Sequence, residues 1–257
     1  MKKTALITGA TSGIGKATAI KLAQNKIDII ITGRRKVLLN ELGEKLRSQF
    51  NVEVLELVFD IRDQAEVFKQ IEGLPDNWKQ IDILVNNAGL AAGLDKFQDA
   101  DIDDWETMID TNIKGLLYIS KAVIPLMIKR SRGHIVNISS TAGKEVYLKG
   151  NVYCGTKHAV DAINKAMRID LLEEDIKVTS VNPGMVETEF SLVRFKGDKE
   201  KAVIPYKGIK PLSGEDVAET IWFVLNRPEH VNINEIIITP KAQANSIYIN
   251  REREERE

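Results

Sequence analysis

A single cysteine, Cys154, in 257 residues excludes an intramolecular disulfide and fits a reducing compartment. The three histidines, His134, His158 and His230, show no metal-ligand spacing. No second cysteine or acidic cluster completes a set around them, so no metal is expected. Charge of one sign is missing too: 36 basic against 37 acidic residues leave a net charge of -1, with no field to draw nucleic acid. The basic group Lys129-Arg-Ser-Arg132 reads as a solvated helix end. No apolar run could span a bilayer, and the opening Met-Lys-Lys leads into a run too short for a signal peptide. A cytoplasmic protein without membrane or nucleic-acid partners is therefore expected. Repeats and proline-rich linkers are absent as well, which makes residues 1–250 one domain. The charged segment 251–257 reads as a frayed, solvated tail.

What is present is alternation. Short β-branched runs near residues 4–8, 27–32, 52–58, 82–86, 134–139, 176–182 and 235–239 are separated by helical patterns. That order predicts an α/β fold of the Rossmann type, a doubly wound parallel sheet of about seven strands with helices on both faces. Two helices should be long, around 101–130 and 151–174, and another should cover 214–226. The apolar faces of the long pair are wider than a one-sided helix needs, which suits subunit contact. Residues 187–211 lack strong periodicity and contain Gly197, Pro205 and Gly208, so they read as a loop and a candidate substrate lid.

Three local patterns carry chemistry. The run Thr4-Ala-Leu-Ile-Thr8 ends in Gly9-Ala-Thr-Ser-Gly13-Ile-Gly15, after which Ala17, Ile20, Leu22 and Ala23 keep helical spacing. Strand, glycine-rich turn and helix start bring backbone N–H groups and a positive dipole end to one place, where a pyrophosphate can sit. Gly9, Thr11, Ser12, Gly13, Ile14 and Gly15 are its candidate contacts. The second strand ends in Gly33-Arg34-Arg35. A carboxylate there would hold a ribose 2′-hydroxyl, whereas arginines suit a 2′-phosphate, so NADP rather than NAD is expected. Third, Tyr153 and Lys157 lie four residues apart, one turn along a helix face. A phenol titrates near ~10 and needs an adjacent cation to exchange protons near neutrality, so Tyr153 reads as a general acid/base tuned by Lys157. Cys154 is turned roughly 100° away and reads as a packing residue.

Together with Asp60, Asn86-Asn-Ala-Gly89, Asn112, Ser139-Ser140 and Pro183-Gly184, these motifs resemble the short-chain dehydrogenase/reductase family along nearly the whole chain. Within that family Trp105-Glu-Thr-Met-Ile-Asp-Thr-Asn112, Val193-Arg-Phe-Lys-Gly-Asp198 and Pro228-Glu-His-Val-Asn-Ile-Asn234 look like the NADP-dependent 3-hydroxy acid dehydrogenases, a group that includes serine and allo-threonine dehydrogenases. The resemblance implies reversible hydride transfer between nicotinamide and a secondary alcohol carbon. It implies that Asp60 touches the adenine, with Ile61 lining the ring, and that Asn87 approaches the adenosine ribose while the backbone at Ala88 and Gly89 passes the cofactor. Pro183, Gly184, Val186 and Thr188 would run under the nicotinamide. Tyr153 would move the hydroxyl proton, and Lys157 would hold the nicotinamide ribose. Ser140 would donate to the substrate oxygen, its neighbour Ser139 pointing the other way. Asn112 would bind a water linking Lys157 to solvent. A homotetramer is the family expectation.

The substrate is less legible. A 3-hydroxy acid carries a carboxylate, and Arg194 and Lys196 on the presumed lid are the candidates to clamp it. Glu187 and Glu189 read as solvent-facing. A broader carbonyl or 3-oxoacyl reductase, and a non-catalytic nucleotide-sensing protein, remain alternatives to the hydroxy acid dehydrogenase.

Overall fold

The computed structural model describes residues 2–252. Its strands are β1 (Thr4–Ile7), β2 (Asp28–Gly33), β3 (Val54–Val58), β4 (Ile83–Asn86), β5 (Gly133–Ile138), β6 (Ile176–Pro183) and β7 (Glu235–Ile238). They form one parallel sheet in the order β3-β2-β1-β4-β5-β6-β7. The expected strands are all found, the largest offset falling at β3, which begins at Val54 rather than at residue 52.

Buried on both faces, the central strands alternate between two cores. Ala5, Ile7, Ile29 and Ile31 pack with Leu22, Leu39 and Leu46 on one side. Leu6, Ile30, Leu84 and Ile135 pack with Val67, Ile71, Ile119 and Met127 on the other. Helices α1 (Gly13–Gln24) and α2 (Lys36–Phe50) contribute to the first core; α3 (Gln64–Glu72) and α5 (Leu116–Ile128) contribute to the second. This two-sided burial is why the central strands read as continuous apolar runs. The strand order reverses between β1 and β4, and a cleft opens beyond the carboxyl ends of the strands at such a point.

Three helical expectations are corrected. The segment 101–130 is not one α-helix: α4 (Ile102–Ile109) and α5 flank a π-helical turn, Asp110–Gly115, that leaves Asn112 only 2% exposed. Helix α6 (Asn151–Asp170) stops before residue 174, where a separate short turn, Leu172–Glu174, follows. The presumed loop 187–211 contains α7 (Glu189–Arg194) and α8 (Lys199–Val203), capped by the side chains of Thr188 and Asp198. Helices of six and five residues complete too few turns to show a period, so the caps were their only sequence signal. Helix α9 (Gly214–Leu225) opens on a capping box between Ser213 and Asp216.

The tail is also ordered further than expected. Arg251 donates to the carbonyls of Lys207 and Pro205, and the Glu252 amide donates to Gly208 O over 2.8 Å, clasping the segment after α8. The rest of the expected tail, 253–257, lies outside the described residues. Among the described residues no helix is long and apolar enough to cross a membrane.

Candidate active site

A cleft of about 700 Å³ runs over the carboxyl ends of the strands, from the glycine-rich turn and Arg34 at one end to Tyr153 and Arg194 at the other. At the first end, Ser12 precedes α1 in extended conformation without capping it, and the first turn holds no acid. The first intrahelical bond is Lys16 N to Ser12 O, so the amides before it are available to an anion. Gly9 and Gly13 have φ of +65° and +52°, and a side chain at Gly15 would strike Asn87 Nδ2 and the Gly9 carbonyl. The turn is bolted from behind. Thr8 Oγ1 accepts from the amides of Asn87 and Ala88 over 3.0 and 2.9 Å, and Asn87 Nδ2 donates to Thr8 O and Gly9 O over 2.8 and 3.2 Å. The Asn87 amide thus braces the phosphate-type loop, where a contact to a ribose had been expected of it.

Beyond the loop, Arg34 is 61% exposed and meets Asp60 at 3.7 Å. Arg35 is engaged: Nε and Nη2 donate to Thr11 Oγ1 over 3.1 and 2.7 Å, and Nη1 donates to Glu189 Oε2 over 2.8 Å. Glu189 faces solvent as expected, 48% exposed, and also reaches across the cleft mouth to Arg35. The Asp60 carboxylate is held by Arg62 through Nη2 at 2.7 Å and Nε at 3.1 Å. Burial pushes its pKa up, but the Arg62 hydrogen bonds and the charges of Arg62 and Arg34 outweigh that and hold it below the usual carboxylate range. Ile14, Ile61, Gly89, Val186 and Thr188 also line the cleft.

At the other end, α6 brings Tyr153 and Lys157 onto one face, each 7% exposed. Lys157 Nζ donates to Ile138 O over 3.0 Å, and burial brings its pKa down to about 8. A side chain at Gly89 would meet Asn112 Oδ1 at 3.2 Å and Lys157 Nζ at 3.5 Å, so these two groups face each other across the glycine. Asn112 itself clamps the loop after β4 to α6: Oδ1 accepts from Leu90 N, and Nδ2 donates to Leu90 O and Thr156 Oγ1, over 2.8, 2.8 and 3.0 Å. Ser140 and Ser139 diverge. Ser140 Oγ accepts from Ala142 N and donates to Pro183 O over 3.1 and 3.3 Å, whereas Ser139 Oγ turns away to Lys157 O.

The tyrosine's electrostatics differ from expectation. Burial pushes the Tyr153 phenol well above its ordinary value, the nearby Tyr147 phenol raises it further, and the groups that pull it back are Arg194 and Ser140. The guanidinium of Arg194 lies 5.3 Å from the Tyr153 ring centroid. Of the two lid cations, Arg194 faces the cleft, while Lys196 is engaged with Asp104 at 3.0 Å and Asp101 at 3.6 Å on the outside. Among the groups that pull the phenol back, the cation is Arg194, and the Lys157 ammonium donates to Ile138 O.

Several groups escaped the sequence. Phe190 packs edge-on against Tyr153 at 5.7 Å, Tyr147 holds Arg194, and Gln243 Oε1 accepts from Met185 N over 2.8 Å, bracing the turn after Pro183 and Gly184. Gln243 and Met185 are separated by 58 positions and carry no shared local signal. Among the described residues no three His, Cys, Asp or Glu side chains gather as metal ligands.

Residues 3–198 match the family model of the short chain dehydrogenases. The chain is 45% identical over 249 residues to an NADP-dependent 3-hydroxy acid dehydrogenase of Schizosaccharomyces pombe, covering 96% of each. It is 45% identical over 240 residues to the NADP-dependent 3-hydroxy acid dehydrogenase YdfG of Escherichia coli K12, covering 93% of this chain and 95% of that one. Its fold superposes on the closed form of a serine dehydrogenase complexed with NADP+ with a TM-score of 0.90 and 44% identity, over 98% of this chain and all (100%) of the other. For the serine dehydrogenase of Escherichia coli the TM-score is 0.80 at 40% identity, over 94% and 99% of the two chains.

Proposed function

Because the chain belongs to the short-chain dehydrogenase family, we propose that it is an NADP-dependent dehydrogenase of 3-hydroxy acids such as serine or allo-threonine. The observation that carries the substrate class is the Arg194 guanidinium, 5.3 Å from the Tyr153 ring inside the cleft. A carboxylate on that cation leaves the β-hydroxyl two carbons away, next to the phenol. The relatives' names point to the same substrates and cofactor.

The residues present fit NADP. An uncapped helix start receives the pyrophosphate, a turn too tight for any side chain at Gly15 lets it approach, and the exposed Arg34 with Arg35 supplies charge for the 2′-phosphate. Ile61, Asp60, Pro183, Gly184, Val186 and Thr188 all line the cleft, the first two where they would border the adenine and the others where they would border the nicotinamide. When bound, the cofactor accepts or supplies the hydride. Ser140 donates a hydrogen bond to the substrate oxygen, and Tyr153 moves its proton as charge develops there. Lys157 holds the ribose hydroxyls beside Tyr153, and Asn112 fixes the loop that brings Gly89 against that ammonium. The lid is the helical segment 187–211, which carries Arg194. A homotetramer is supported by apolar side chains left exposed on the helices, among them Ile169, Leu172 and Phe223 at 74%, 76% and 46%.

The test is absorbance of reduced cofactor with NADP+ and L-serine, allo-threonine, 3-hydroxybutyrate or simple alcohols. Hydroxy acids should turn over and simple alcohols should not. Tyr153→Phe should abolish turnover while leaving the NADP+ Kd within about twofold. Preference for neutral alcohols and ketones would favour a broad carbonyl reductase. Silence across the panel and its ketone counterparts would favour a nucleotide sensor.

A further inference from the structure

Arginine is a poor specificity element when it swings freely, because its long side chain samples many rotamers and each must be immobilised on binding. Arg194 is not free. It leaves the last turn of α7, and three contacts hold its base and tip. Gly93 N donates to Arg194 O over 3.0 Å, Arg194 Nε donates to Gly93 O over 3.2 Å, and Nη2 donates to the Tyr147 hydroxyl over 2.7 Å. The guanidinium lies between two aromatic rings, 5.7 Å from the centroid of Tyr147 and 5.3 Å from that of Tyr153.

Tyr147 touches neither the hydride nor the transferred proton; beyond its effect on the Tyr153 phenol it lines the same cleft, and its ring packs against the cluster that holds Tyr153. Its hydroxyl accepts from Arg194, which leaves its own proton to donate. The guanidinium has five N–H groups, and the bonds to Gly93 and Tyr147 engage two of them, so N–H donors remain for an anion. Phenol and guanidinium thus form one preorganised unit beside the catalytic ring, of the kind that recognises a planar carboxylate.

We propose that Tyr147 is a positioning residue that fixes Arg194 over the Tyr153 ring and thereby selects substrates carrying a carboxylate. The inference rests on the reading of the substrate as a 3-hydroxy acid and names the group that enforces it. Without the hydroxyl the guanidinium keeps its charge but loses its fixed direction. The penalty then falls on binding of the charged substrate, not on chemistry at the alcohol carbon.

The experiment compares 3-hydroxybutyrate with its neutral amide, 3-hydroxybutyramide, as substrates of the full-length enzyme with NADP+. The proteins are the wild type, Tyr147→Phe, Arg194→Ala and the double variant. Tyr147→Phe should raise KM for the acid about tenfold, as expected for one hydrogen bond to a charged group. Its kcat for the acid, its KM for the amide and its NADP+ Kd should each stay within about twofold of wild type. In the Arg194→Ala background Tyr147→Phe should add nothing further, since it acts through the arginine. Equal losses on acid and amide would make Tyr147 a packing residue and overturn the proposal, as would a full additional loss in the double variant. If Arg194→Ala discriminates acid from amide and Tyr147→Phe does not, this inference alone fails. If neither variant discriminates, or the wild type does not oxidise the acid, the hydroxy acid reading fails with it.

Discussion

At the glycine-rich end of the cleft the lining is mainly backbone, the amides before Lys16 and a turn bolted by Thr8 and Asn87, with two arginines following directly on the second strand. At the other end the lining is side chains drawn from distant stretches, with Ser140 after β5, Tyr153 and Lys157 on α6, and Arg194 on α7. Backbone amides cannot be mutated away, so the first end holds a fixed chemical group. Side chains can be exchanged one at a time, so the second end can change its preference for alcohols without disturbing the cofactor. The separation extends into the sheet. Strands β1 and β2 are packed mainly with hydrocarbon, whereas β4 and β5 bury a polar chain running from Ser120 on α5 through Asn86 and Asn137 to Asn164 on α6.

The largest expected effect exploits this difference in the interior. His134 on β5 is 5% exposed and lies 2.9 Å from Thr179 on β6. Thr179 gives its own proton to Ile233 O, so the histidine Nε2 is the donor. Burial first, then the charges of Lys177 and Lys3, bring its pKa down to about 3. Above the ordinary value of 6.5 both folded and unfolded rings are neutral and the site costs nothing. Between 6.5 and 3 the unfolded chain takes up a proton that the folded one refuses, so stability falls with pH. By denaturant titration, the wild type should lose roughly 2–3 kcal/mol more than His134→Gln between about pH 7 and about pH 4.5. Equal pH dependence in the two proteins would show that the polar half of the sheet is no more acid-sensitive than the apolar half.

The same contrast explains what could be read from the chain. The strands, the glycine-rich turn, Arg34 and the Tyr153–Lys157 spacing are local patterns whose period or order carries their meaning. Ser140 and Asn112 were reachable only through a resemblance, because an isolated serine after a strand or an asparagine in a helix has no chemistry of its own. The partners of Tyr147, Glu189 and Gln243 are not legible, because each lies far along the chain: Arg194 for Tyr147, Arg35 for the exposed Glu189, and the Met185 amide for Gln243. Helices α7 and α8 were read as loop for want of turns. Spacing sets Lys157 on one helix face with Tyr153 but does not reveal that the ammonium also donates to Ile138 O.

A smaller effect should separate the two ends by cofactor. Replacing Arg34 and Arg35 together by alanine should weaken NADP+ binding by roughly 30-fold or more, as loss of charge-assisted hydrogen bonds to a phosphate predicts. The NAD+ Kd, measured by quenching of protein fluorescence, should change by less than about threefold. Substrate selectivity between 3-hydroxybutyrate and its amide should be untouched, because Arg194 belongs to the other end. Equal weakening of both dinucleotides would remove the phosphate assignment.

The smallest effect concerns a direct link between the ends. Glu189 at the start of α7 holds Arg35 at 2.8 Å, both side chains being nearly half exposed, at 48% and 44%. Such a pair is worth about 0–1 kcal/mol, so it cannot lock the lid. It can compete, because a 2′-phosphate and the Glu189 carboxylate ask for the same guanidinium, and the cofactor must displace one to reach the other. Glu189→Gln keeps the shape and removes the competitor's charge. It should therefore tighten NADP+ by about two- to fivefold, within the range of an exposed ion pair, and leave NAD+ unchanged. The gain should shrink at high salt, where the carboxylate competes less. It should also vanish in an Arg35→Ala background. A gain that survives there would mean that Glu189 repels the phosphate directly and that the two ends of the cleft are independent after all.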